Sequence, residues 1–112
     1  MASVSATSQQ MGVVNFASGS FTGDGTATTV TVGFVPRWIK VFNTTGVIVW
    51  EKFEGMGNTI TIKTVTAGTT TADATSAILI GDGTTANGAV GTFLISAAAA
   101  VNAQALSWVA QG

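Results

Sequence analysis

The chain has 112 residues, the length of one domain and too short for a second independent core. Four basic and five acidic residues make 8% of it charged, against roughly 25% in ordinary soluble domains, with no Lys/Arg cluster of the kind nucleic acid requires. Without cysteine there is no disulfide or thiolate metal site, and without histidine or tyrosine most general bases, activated nucleophiles and phenolic acids are also missing.

Met1–Gln10 is small, polar and aperiodic, and lacks the basic and apolar regions of a secretory signal. Residues 1–12 are expected as a flexible or partner-ordered arm ahead of a β domain over 13–112. Nineteen threonines and many valines carry the branched β-carbons that suit a pleated sheet, and fourteen glycines punctuate short apolar runs. Val13–Phe16 and Phe21 predict a first strand, broken at Ala17–Ser20, and Asp24-Gly25 predicts a turn. Thr28–Phe34 sets Val30, Val32 and Phe34 against Thr29, Thr31 and Gly33, a period of two with one apolar face. Pro36 interrupts, as at a strand start or on an edge.

Arg37–Asn43 alternates Arg37, Ile39 and Val41 against Trp38, Lys40 and Phe42, so both faces are partly apolar. Thr44–Gly46 turns the chain into Val47–Glu54, the strongest hairpin signal in the sequence. Gly55–Asn58 turns again into a strand over Thr59–Thr66. Ala67–Ser76 is expected as a Thr-rich loop, Ala77–Ile80 as a short strand, Gly81–Gly91 as a loop and Thr92–Ser96 as a strand. Ala97–Ala100 has helix propensity but is too short and poorly capped for more than one turn or a crossover. Gln104–Ala110 closes the set, with Leu106 and Trp108 on one side. About eight short antiparallel strands at roughly ten-residue spacing predict an all-β single domain: a β-sandwich, jelly roll or small barrel.

Every charged residue lies between Asp24 and Asp82, so the first 23 residues and the last 30 carry no side-chain charge. A free soluble monomer keeps a mixed-sign charged surface, so much of this one is expected to be covered by other subunits. A small core without cross-links is marginal alone, which also points to a homo-oligomer. Ala89–Ala110 has the length of a membrane span. Its Thr92, Ser96, Asn102, Gln104 and Ser107, and the lack of flanking Lys or Arg, argue against one.

Glu51 and Glu54, three apart on a strand, fall on opposite faces and cannot act as a carboxylate pair. Gly23-Asp24-Gly25-Thr26 and Gly81-Asp82-Gly83-Thr84 share a string in which Asp could serve calcium, but each offers one carboxylate. A turn with Asp bonded to its own backbone fits better. No catalytic, cofactor or metal site is expected. Trp38, Trp50 and Trp108 suit core and interface alike, and with Trp38 and Trp50 on neighbouring strands at least one is expected to face a partner. Phe53, Met56, Val13 and Phe16 complete the candidate partner-binding set.

The run Phe34-Val35-Pro36-Arg37-Trp38-Ile39-Lys40-Val41-Phe42-Asn43, followed by Trp50-Glu51-Lys52-Phe53-Glu54-Gly55-Met56, resembles a group of small tailed-bacteriophage virion proteins. Ile62-Lys63-Thr64-Val65-Thr66-Ala67-Gly68-Thr69 and Leu106-Ser107-Trp108-Val109-Ala110 stand in the matching order. The similarity spans roughly Gly33 to Ala110 and is strongest in the middle. It implies a capsid decoration, or cement, protein: an all-β subunit, trimeric by preference, bound to the major capsid protein on the virion surface. A tail or fibre component with a receptor- or glycan-binding role is the alternative.

Overall fold

The computed structural model describes the backbone of residues 2–5, 9–11 and 14–112 and the side chains from residue 15 onward. Within these residues the chain is all-β, with eleven strands: β1 (Ala2–Ser5), β2 (Gln9–Met11), β3 (Val14–Thr22), β4 (Thr28–Thr31), β5 (Trp38–Asn43), β6 (Ile48–Phe53), β7 (Thr61–Thr64), β8 (Thr70–Asp73), β9 (Ile78–Ile80), β10 (Thr92–Ile95) and β11 (Ala105–Gln111). They form two sheets, one ordered β1-β4-β10-β9 and one ordered β2-β3-β11-β5-β6-β7-β8, which pack as a small β-sandwich. Every pair is antiparallel except β1 on β4, which is parallel. Both β1 and β2 fall in the segment expected as an arm, whose residues 1, 6–8 and 12 lie outside the described residues.

The core forms where the period-two patterns of the two sheets meet. Val30, Ile78, Phe93 and Ile95 come from the four-stranded sheet, and Ile39, Val41, Trp50, Leu106 and Trp108 from the seven-stranded one. Each such side chain, fully buried, contributes about 1.5–3 kcal/mol. Across the layers the Phe93 ring meets the Trp108 indole edge-on, with centroids 5.5 Å apart and planes at 75°. That geometry sets the positive ring edge against the negative face.

Two expectations are corrected. The first strand is not broken at Ala17–Ser20: β3 runs through it, paired with β11 at every residue from Phe16 to Thr22. Gly19, which suggests a break, instead makes room for a neighbour, because a Cβ there would lie 2.9 Å from Trp108 Cζ2. Ala67–Ser76 is not all loop: Gly68, at φ +85°, turns the chain, and β8 pairs with β7 as an edge strand. Its Thr-Thr-Ala-Asp has no apolar alternation to announce it.

Ala97–Ala100 is a single turn, with Ala99 and Ala100 N–H donating to Ser96 O at 3.1 and 2.9 Å. Ala89–Ala110, the stretch with the length of a membrane span, folds as strand, turn and strand. Among the described residues no helix is long and apolar enough to cross a membrane.

Candidate protein-binding interface

In the β5–β6 hairpin the pleat sends Ile39, Val41, Asn43, Trp50 and Lys52 inward. The opposite parity, Trp38, Lys40 and Phe42 with Val49, Glu51 and Phe53, faces out. Register makes these outward residues direct neighbours: Trp38 beside Phe53, Lys40 beside Glu51, Phe42 beside Val49. The flanking strands extend the face. β11 sets Val109 beside Lys40 and Ser107 beside Phe42, and β7 sets Ile62 beside Glu51 and Thr64 beside Val49. On β3, Phe16 stands opposite Gln111, which stands opposite Trp38, so Phe16, Trp38 and Phe53 fall in one row across the sheet.

This outer face is apolar for a solvent-facing surface. Phe16, Phe42 and Phe53 are 43%, 37% and 42% exposed, and Trp38, Val49, Ile62 and Val109 are half-buried. A shallow depression on it is lined by Lys40, Phe42, Ser107, Trp108 and Val109. The Trp38 indole N–H donates to Glu51 Oε2 at 3.0 Å, which fixes the ring's orientation. At the end of the hairpin Arg37 Nε donates to Glu54 Oε2, both side chains exposed.

In the opposite sheet none of the strands β1, β4, β9 and β10 contains an ionisable residue. Its outward positions include Leu94, flanked by Thr29 and Leu79. The two broad faces therefore carry, among the described residues, two ionisable side chains between them, Lys40 and Glu51. The remaining charges lie elsewhere. Asp24, Asp73 and Asp82 sit in or beside turns, Lys63 Nζ lies 5.9 Å over the Trp50 ring, and Lys52 is buried.

Of the residues singled out from sequence, Phe16, Trp38 and Phe53 share the outer face. Met56 is half-buried in the turn after β6, where its Sδ accepts from Phe53 N–H at 3.4 Å. Trp50 is corrected from partner contact to core: at 3% exposed it occupies the inward parity of β6 and belongs to the buried cluster. Val13 lies outside the described residues. Sequence reasoning missed Phe42, Val49, Ile62 and Val109. The signal for Phe42 was the doubly apolar alternation of Arg37–Asn43, which sets it beside Trp38 on a second, partly apolar side, whereas Val49, Ile62 and Val109 join that side only through strand register.

The polar motifs turn out to be structural. In both Gly-Asp-Gly-Thr turns Asp Oδ1 accepts from the Thr backbone N–H, at 3.0 Å each, and from the Thr hydroxyl, at 2.6 Å for Asp24 and 2.7 Å for Asp82. The Thr26 hydroxyl, then its N–H, holds the Asp24 carboxyl below its ordinary pKa, and Thr84 with Asn87 does the same for Asp82. Asn43, in a glycosylation-like Asn-Thr-Thr string, is buried: its Oδ1 accepts from Thr45 and Gly46 N–H and its Nδ2 donates to Gln104.

Lys52 is 3% exposed, and its Nζ donates to the carbonyls of Gly57, Asn58 and Ile60 at 2.9, 3.0 and 2.9 Å, tying the β6–β7 turn to the strand. Burial pushes its pKa down, while three acceptors, one per N–H, suit the charged form. Comparison of the chain with protein-family models, with curated proteins and with solved structures finds no match.

Proposed function

We propose that this chain is a structural subunit of a tailed-bacteriophage virion: a capsid decoration protein that binds the major capsid shell and stabilises it. The observation that carries the reading is the pair of broad sheet faces on which, among the described residues, Lys40 and Glu51 are the ionisable side chains. Apolar or hydroxyl-coated faces of this extent gain free energy when another protein covers them, and the loss of water needs little compensation because few charges are desolvated. Cover laid across boundaries between shell subunits adds buried area that must be exposed again before they separate. The segments that resemble phage virion proteins most closely are β5 and β6, the centre of the seven-stranded sheet. A glycan-stacking role in a tail fibre is less well supported, since Trp50 is in the core and the Trp38 indole N–H is committed to Glu51.

Fractionation of purified virions into heads and tails tests the assignment, with the chain expected on heads. Shells lacking it should rupture at lower temperature and recover when the purified protein is added back. Recovery of the chain in the tail fraction, or no binding to shells, refutes the reading.

A further inference from the structure

We infer that the outer face of the seven-stranded sheet is covered by a second copy of this chain, packed face to face about a two-fold axis running along the strands between β5 and β6. The inference rests on the reading of the broad faces as adhesive and names the occupant of one of them. A two-fold lying in the plane between the copies carries β5 onto β6 of the other copy, β11 onto β7 and β3 onto β8.

Applied to the register, that operation sets Trp38 over Phe53, Phe42 over Val49, Val109 over Ile62 and Ser107 over Thr64. Apolar meets apolar and hydroxyl meets hydroxyl. It also sets Lys40 of each copy over Glu51 of the other, so the two charges of the face are answered twice. The face is thus complementary to itself about this one line.

Aligned sheets pack about 10 Å apart with a rotation of roughly 30°, which keeps the central strands opposed while the outer ones diverge. The depression beside Phe42 and Val109 then receives side chains from β6 and β7 of the second copy. β5 and β6 overlap through three outward rows and the four flanking strands through two, so at about 4.8 Å between strands and about 7 Å between rows the footprint is about 450 Å². Counting both copies this is roughly 900 Å², in the range of weak, reversible pairs. Pairing leaves the two charge-free four-stranded sheets turned outward, giving one particle two identical attachment surfaces and a higher effective concentration at the shell.

The purified 112-residue chain should show twice its 11.2 kDa mass in light scattering or sedimentation. Lys40→Glu sets Glu against Glu, and Glu51→Lys sets Lys against Lys, so each alone should raise the pair's dissociation constant at least about a hundredfold. Mixed one to one, the all-acidic and all-basic faces should pair again. Because the chain has no cysteine, Ser107→Cys mixed with Thr64→Cys offers an independent check: a short bismaleimide should bridge them only across the pair.

A monomeric or trimeric wild type, a charge-variant mixture that stays apart, or no cross-link overturns the pairing. Shell binding measured in parallel separates the two readings. Pairs that bind no shell support the pairing and sink the capsid role, whereas a monomer that binds shells does the reverse.

Discussion

Replacing Lys52 by Met keeps the length and apolar stem of the side chain and removes only its ammonium. The three carbonyl bonds to Gly57, Asn58 and Ile60 are charge-assisted, each worth about 1.5–3 kcal/mol net. Against their loss stands relief of the cost of holding a charge at 3% exposure, itself several kcal/mol. Gly57 and Asn58 lie in an exposed turn, so their carbonyls can regain water, whereas Ile60 is half-buried. The balance predicts that Lys52→Met destabilises by about 2–4 kcal/mol, lowering Tm on the order of 10 °C for a domain of this size.

Urea and thermal unfolding followed by far-UV circular dichroism measure this directly. pH adds a second signature. The folded pKa of Lys52 lies below the 10.5 of an unfolded lysine, so between those values the unfolded chain binds more protons, and this residue's contribution to stability rises with pH. The wild-type minus variant stability should therefore increase as pH climbs towards 10.5. A variant as stable as wild type would show that the carbonyl bonds do no more than offset the burial of the charge and that something else holds the turn, and a flat pH difference would show that burial does not lower the folded pKa of Lys52.

Gly81→Ala should destabilise by about 3 kcal/mol or more, because its Cβ would meet Ala89 O at 2.0 Å. Gly25→Ala, at φ +78° but with nothing nearer than 3.5 Å, should cost only about 1 kcal/mol, and denaturant titration ranks the two. Trp50→Ala should cost about 3–5 kcal/mol as a core truncation, while Trp38→Ala should cost the monomer clearly less and act chiefly on association. Asp82 has a folded pKa below the ordinary 3.8, so its contribution is present above that pH and is lost as pH falls through the folded value. Acid unfolding of Thr84→Ala should start from a smaller contribution and show a shallower fall in that range.

The features legible in the residues alone were local. The alternation through Thr28–Phe34 and Arg37–Asn43, the turn at Thr44–Gly46 and the Asp-Gly turns appear where their residues predict them, because side-chain parity and backbone φ are decided within a few residues. The all-β class followed from the same signals. Contacts distant in sequence decided the rest. Gly19 reads as a strand breaker until Trp108, 89 positions later, is laid across it, and Thr70–Asp73 reads as loop until β7 supplies its partner.

The candidate interface shows the same division. Trp38 and Trp50 are indistinguishable as residues, yet pairing β5 with β6 in this register and closing one side with the four-stranded sheet makes Trp50 core and leaves Trp38 on the outer face. Parity tells which residues share a side. Only the packing of one layer on another tells which side meets water, because that depends on the free energy of the whole layer and not of any single strand.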